Sequence, residues 1–320
     1  MISPLKALIH LAALALLGVP AAIALAGLSG IGHRWTDLLA QFPAPALVGT
    51  LILTLACAVL RLRAAVIGGL GVTLLLIAAL WPQWFPRGGA LPREGAPTLS
   101  VYSANLWAWN TDVDAIARSI ADADADIVIL VELGDAPSAQ LDRVLAGYPH
   151  RVLTARVDRP SGAARAAIAS RYPLTAVADR PDGLVSVAAT AQTPLGPVNV
   201  VGAHLTRPWP FQYQRGQVDQ ATALAAIRRD MTGPVIAAGD FNSVSSARIG
   251  RQIQAEAGLI PAPGWPGTWP SVLPSAAGMT IDQVWRSPDL ALLERKLGRK
   301  TDSDHRPVIT SFTLAATTAP

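Results

Sequence analysis

Val235-Ile236-Ala237-Ala238-Gly239-Asp240-Phe241-Asn242 is an apolar run that ends abruptly in polar side chains. Its first part is apolar at every position, as in a short strand buried on both faces. Asp240 and Asn242 then fall where the chain leaves that strand, the place where functional side chains gather. The same design recurs along the chain. Asn105 ends the run 99–106, Glu132 ends the continuous apolar run 127–133, and His204 closes the second arm of a hairpin. That hairpin joins 184–192 to 197–205 around Pro194, Leu195 and Gly196. Asp282 lies in the run 279–285, and Asp304 and His305 precede a last apolar run near 306–313. Further strands are expected near 150–155, 165–170, 174–178 and 290–294. Helices are expected over 112–120, 136–146, 213–230 and 248–257. Mixed elements with strands in the majority predict an α/β fold of two packed sheets flanked by helices.

The first ninety residues read differently. No charged residue stands between Lys6 and Arg34, between Asp37 and Arg61, or between Arg63 and Arg87. Each gap is long enough to cross a hydrocarbon core, which takes about 20 apolar residues. About three transmembrane helices are expected, near 7–28, 46–60 and 64–80, with some of 38–45 at the interface. Lys6 and Ala24-Leu25-Ala26 also fit a signal peptide; the two later apolar segments favour retention. Arg61 and Arg63 sit in a tight loop that should stay cytoplasmic. The remainder of the chain is then expected outside the cytoplasmic (inner) membrane of a multi-pass anchor spanning 1–81. Residues 82–97 are rich in Pro and Gly and read as a linker, followed by a catalytic domain at 98–314 and a tail at 315–320.

Charge restricts the function classes. Four of the 26 basic residues and one of the 22 acidic residues precede residue 87, which leaves the rest near +1. A non-specific nucleic-acid binder usually carries a basic stripe, and this composition does not demand one. Arg295, Lys296, Arg299 and Lys300 form the only dense basic cluster, read as a solvated edge. The single cysteine, Cys57, excludes an intrachain disulfide and a cysteine-built zinc site.

Taken singly, each polar strand end has an ordinary explanation as a cap, turn former or hydrogen-bonded core residue. Together they have a chemical one. The hard oxygen donors Glu132, Asp304 and Asn105 suit Mg²⁺ or Mn²⁺. There is no helical pair of histidines of the kind zinc hydrolases use. His305 with Asp282 as partner can act as a base or stabilise charge. Asn242 and a cationic His204 can stabilise negative charge on a five-coordinate phosphorus. These are the parts of a metal-assisted phosphoester hydrolysis.

The order of these motifs resembles the endonuclease/exonuclease/phosphatase superfamily. The matching pieces are Ser103-Ala104-Asn105, Val131-Glu132, Gly202-Ala203-His204-Leu205, Gly239-Asp240-Phe241-Asn242, Ile281-Asp282 and Ser303-Asp304-His305-Arg306-Pro307. The resemblance covers roughly 98–314 and implies a four-layer α-β-β-α sandwich with its site at one edge of the paired sheets. It implies Glu132 as the main metal ligand, with Asn105 and Asp304 near the metal. It implies His305, paired with Asp282, as the catalytic histidine, and Asp240 as the group that orients or deprotonates water. Asn242 and His204 would contact phosphate, His204 also serving as an acid, and Arg171 matches a phosphate-contacting arginine of some members. Met279 and Thr280 depart from the family pattern before Asp282. The substrate is expected to be a phosphoester, either nucleic acid or a lipid or small phosphoester, and no protein partner is indicated. A non-catalytic membrane receptor or scaffold on the same fold is the alternative, and it would be expected to have lost some of these residues.

Overall fold

The computed structural model describes residues 4–154, 164–177 and 184–316. The ends of the strands expected near 150–155 and 174–178, and most of the tail, lie outside the described residues. Two six-stranded sheets form the centre. The first runs β11 (Leu290–Leu297), β12 (Val308–Leu314), β1 (Leu99–Asn105), β2 (Ile127–Val131), β4 (Ala166–Ser170), β3 (His150–Leu153). The second runs β5 (Leu174–Ala176), β6 (Val185–Thr193), β7 (Gly196–His204), β8 (Val235–Asp240), β10 (Asp282–Arg286), β9 (Ile260–Pro261). Both are mixed, with β1–β2 and β7–β8 as parallel pairs.

Strand periodicity explains the layering. In β2, Ile127, Ile129 and Val131 enter the core between the sheets, while Val128 and Leu130 enter an outer core. In β8, Ile236 and Ala238 face inward and Val235 and Ala237 face outward. Helix α5 (Val113–Ala123) covers the first sheet through Ile116 and Ile120. Helices α8 (Gln214–Arg229) and α9 (Arg248–Ala257) cover the second through Leu224, Ile227 and Ile253. The layers are therefore helix, sheet, sheet, helix. The helix expected over 136–146 is instead two short ones, α6 (Asp135–Ala139) and α7 (Leu141–Val144), because Gln140 between them leaves helical angles (φ −120°, ψ 35°). The strand pair β9–β10 has no clear signal in sequence, since β9 is only two residues long.

Four helices precede the sandwich: α1 (Pro4–Ser29), α2 (Arg34–Leu39), α3 (Pro43–Val59) and α4 (Arg63–Trp84). Two of them, α1 and α4, are long and apolar enough to cross a membrane. This corrects the expectation of about three helices of that kind to two. Helix α3 has 17 residues, about 25 Å at ~1.5 Å per residue, against a core of about 30 Å. The three longer helices pack through Leu17, Ala24, Leu47, Leu76 and Leu80, and leave Leu8, Leu16, Ile52, Leu55, Ile67 and Leu74 exposed at 60–71%.

The bundle docks on the sandwich. Helix α4 continues to Trp84, inside the segment read as linker. The buried Gln83 exchanges backbone and side-chain hydrogen bonds with Gly264, and Pro92 bridges to Ala315 beyond the last strand. Helix α2, of which only Leu38 and Leu39 fall in the stretch 38–45 expected at the interface, lies against the loop after β8. Asp37 accepts from Arg248 at 3.2 Å, and Gln41 Oε1 accepts from Val244 N at 2.8 Å.

Candidate active site

Strand register assembles the site. Parallel pairing of β7 with β8 sets His204 beside Asp240, and antiparallel pairing of β8 with β10 sets Asp282 on the other side of Asp240. One end of the second sheet thus carries the row His204, Asp240, Asp282. On the first sheet, parallel pairing places Asn105 beside Val131, so Glu132 is the next residue out. The two rows face each other across the end of the sandwich: Asn105 Nδ2 donates to Glu132 Oε1 at 3.1 Å and to Asp240 Oδ2 at 2.9 Å. His204 Nε2 bridges the same two carboxylates at 3.4 and 3.8 Å.

The backbone bends to make this possible. Glu132 (φ 50°) and Asn242 (φ 46°) are left-handed, a conformation that side-chain-bearing residues seldom adopt. Strain of this kind gathers at functional sites, where surrounding bonds hold it. Ala108 N donates to Glu132 Oε2 at 3.1 Å, and Asp240 Oδ1 accepts from Asn242 N at 2.8 Å. Gly239 (φ 140°) passes so close to Ala203 that an added Cβ would lie 2.1 Å from its carbonyl oxygen. Any larger residue would push β8 away from β7 and separate Asp240 from His204.

His305 lies just before β12, and its Nδ1 meets both oxygens of Asp282 at 2.9 and 3.0 Å. Its Nε2 points toward Asp240 and Asp304, at 3.8 Å from each. Burial works to lower the His305 pKa. The charges of Asp282 and Asp240, with the Asp282 hydrogen bond and Asp304, outweigh it and lift the value to about 10. Asp240 is displaced upward, above the usual carboxylate value, chiefly by burial; His305 and His204 oppose that rise. Trp269 Nε1 donates to Asp304 Oδ2 at 3.0 Å. Glu132, Asp240, Asn242, Asp304 and His305 line one cavity of about 280 Å³.

Residues 99–305 match the model of the Endonuclease/Exonuclease/phosphatase family. The chain belongs to that family. It is therefore an enzyme of the metal-dependent phosphoric ester hydrolase class. An endonuclease/exonuclease/phosphatase from Beutenbergia cavernae has a similar structure (TM-score 0.53, 22% identity, 68% of this chain and 72% of that one). So does beta toxin from Staphylococcus aureus with bound magnesium ions (TM-score 0.51, 16% identity, 67% of this chain and 99% of that one). A UPF0294 protein of Vibrio parahaemolyticus is 35% identical over 97 residues, which cover 30% of this chain and only 33% of that relative.

The donor set fits the divalent cation that the endonuclease/exonuclease/phosphatase family employs. Glu132, His204 and Asp240 each offer a ligand atom, and these atoms lie within 4.8 Å of one another. Carboxylates buried this close repel one another, and a hard cation would relieve both that repulsion and the cost of burying Asp240. Asn105, expected as an oxygen ligand, lies at this cluster. Its oxygen accepts from Trp107 N at 2.8 Å, and its NH₂ faces the carboxylates. It holds Glu132 and Asp240 in place. Asn242 donates to Leu205 O at 2.9 Å and to Asp240 Oδ2 at 3.2 Å, so its amide group also braces the site.

Arg171 requires a correction. It follows β4 at the end that pairs with the start of β2, whereas Glu132 follows the other end of β2. Its guanidinium pairs with Asp124 and stacks over Tyr148 at 5.6 Å. Arg295 differs too. It is not a solvated edge residue: its guanidinium is buried, donates to Pro266 O at 3.1 Å, and has its pKa lowered by burial to about 10. Arg207, Trp269, Leu38 and Phe42 line the cavity and carried no motif. For Arg207, the signal was its place just after His204-Leu205-Thr206.

Proposed function

We propose that the protein is a membrane-anchored hydrolase that uses Mg²⁺ or Mn²⁺ to cleave a phosphodiester or phosphomonoester with water. The observation that supports it best is the meeting of two strand-end rows, Asn105–Glu132 and His204–Asp240–Asp282, with His305 at a single cleft. Glu132 and Asp304, with Asp240 nearby, would hold the cation. When bound, it would polarise the phosphoryl oxygens and lower the pKa of water. Asp240 faces the cleft from a buried position and is suited to take the proton of the attacking water. His305, kept protonated by Asp282, is suited to offset charge on the phosphoryl oxygens. His204 is suited to contact phosphate or to protonate the leaving oxygen. Asn105 and Asn242 fix Asp240 between them.

Anchorage rests on α1 and α4, whose length and exposed leucines and isoleucines fit a hydrocarbon surrounding. Lys6, Arg61 and Arg63 belong to the bundle end away from the sandwich, where Ala13, Cys57, Leu62 and Ala65 pack together. Positive loops favour the cytoplasm, so the catalytic domain is assigned to the extracytoplasmic side; this path takes the 17-residue α3 back across the membrane between α2 and Arg61, at the short end of the ~17–25 residues a spanning helix needs. Fusion of a reporter after residue 316 that is active only in the cytoplasm would reverse this orientation. The hydrolase reading is tested by turnover of bis(4-nitrophenyl) phosphate by the full chain in detergent. Mg²⁺ or Mn²⁺ should support release of 4-nitrophenol and EDTA should abolish it; no turnover with either metal would sink the proposal.

A further inference from the structure

The cavity has a wall that phosphoester hydrolysis does not require. Leu38 and Phe42 come from the N-terminal helices, and Phe211, Trp269, Met279 and Ile281 from the catalytic domain. Ala40 and Phe42 pack in one cluster with Met279, Ile281 and Trp269, so the wall is continuous across the two parts. Met279, a departure from the family pattern, belongs to this cluster. Gln41 stands between the bundle's lining residues and is itself buried, bonded to Val244 N and to Asp37 O. The wall is fixed against the cleft.

Its place in the chain sets its distance from the bilayer. Phe42 immediately precedes Pro43, the first residue of α3, and Leu38 lies in the short helix between α1 and α3. With α1 and α4 crossing a membrane, α2 lies at its surface and the apolar side of the cavity lies there too. Trp35, 52% exposed, meets Trp209 edge-on at 4.5 Å, and the Arg34 guanidinium sits 4.9 Å over the Trp209 ring. Aromatic and cationic side chains of this kind suit the headgroup layer. Phe211 and Tyr213 stand 70% and 89% exposed on the following loop. Arg207 and the catalytic carboxylates line the same cavity, and Trp269 joins the two parts through its bond to Asp304. A volume of about 280 Å³ is at the small end for ligand pockets, typically ~300–1,000 Å³. It holds a headgroup and the first carbons beyond it, not whole acyl chains. A nucleic-acid groove would need a basic track with successive stacking faces; a domain near +1 whose cleft has an apolar wall favours a lipid instead.

We infer that the substrate is a membrane lipid phosphoester, bound with its phosphate at the catalytic side chains and its first carbons against Leu38, Phe42, Phe211 and Trp269. This rests on the hydrolase reading above: water adds to phosphorus, one P–O bond breaks, and the departing alcohol takes a proton. The test uses the full chain in a maltoside detergent with Mg²⁺. Its substrates are alkyl 4-nitrophenyl phosphate diesters from methyl to octyl, each below its micelle concentration. A buried methylene is worth about a fourfold factor. The value of kcat/KM should climb about two- to fourfold per carbon over the first few carbons and then level. The pair Leu38→Ala and Phe42→Ala should flatten the climb. A wild-type series flat in chain length overturns the lipid inference and leaves the hydrolase reading standing, since every member is turned over. An oligonucleotide cleaved with a higher kcat/KM than the octyl ester also overturns it. No turnover of any member, with Mg²⁺ or Mn²⁺, overturns the hydrolase reading and this inference with it.

Discussion

Asp282 and His305 should behave as one catalytic unit. Both are buried, and the ring nitrogen Nδ1 lies 2.9 and 3.0 Å from the two carboxylate oxygens. The pairing fixes the ring so that Nε2 faces Asp240 and the cleft. Asp282→Asn keeps the shape but removes the charge that holds the proton on His305. His305→Ala removes the ring. Each should reduce kcat/KM by about 10²–10⁴, or roughly 3–5 kcal/mol of transition-state stabilisation at 1.36 kcal/mol per decade. The double variant should be little worse than the worse single one, because members of a unit are not additive. The assay is kcat/KM on bis(4-nitrophenyl) phosphate for the four proteins, with circular dichroism to show that each is folded. Multiplicative losses, of about 10⁴–10⁸, would show that the two act separately and rule out the catalytic pair.

Three further outcomes follow from the geometry. In EDTA, the raised His305 pKa makes a stability contribution that is fully present below about 6.5 and lost as pH rises toward about 10. Asp282, Asp240 and Asp304 face the ring, and Asp240, itself raised by burial, works in the same direction from lower pH. The unfolding midpoint should therefore fall from pH 6.5 to 10, and less steeply in His305→Ala; equal slopes would contradict the assignment. Arg171→Ala should leave KM and kcat within about twofold, since exposed ion pairs contribute only ~0–1 kcal/mol and its partner Asp124 lies away from the cleft; a large rise in KM would restore it as a phosphate contact. Gln41→Leu strands the Val244 N–H and should cost about 1–3 kcal/mol, seen as a lower unfolding midpoint; an unchanged midpoint would mean α2 is not docked on the site loop.

Legibility in sequence followed the range of the interactions. The runs around Val131 and Ala238 announced strands buried on both faces, and their polar ends announced Glu132 and Asp240. Pairing within each sheet and the packing of the two sheets face to face then brought those ends together, which sequence periodicity alone cannot state. Arg171 misled because a motif-like neighbourhood, Ser170-Arg171-Tyr172-Pro173, says nothing about which end of a strand faces the cleft. Arg295 misled because a charged run gives no sign of one member turning inward along β11. Helix α2 was obscured by its length and by contacts, such as Asp37 with Arg248, that join residues more than two hundred positions apart. The helix over 136–146 failed on a single residue, Gln140, whose backbone leaves the helical region.

The claim that this cleft holds the catalytic cation is tested most directly by titrating Mg²⁺ into EDTA-stripped wild type and Glu132→Gln while following 4-nitrophenol release. Glu132 is buried, held by Asn105 and the Ala108 N–H, and loses only its charge in the variant. A cation held by Glu132 requires a half-saturating Mg²⁺ concentration raised by about tenfold or more in the variant, as for loss of a ligating charge, with a lower maximal rate. Superimposable titrations would contradict it.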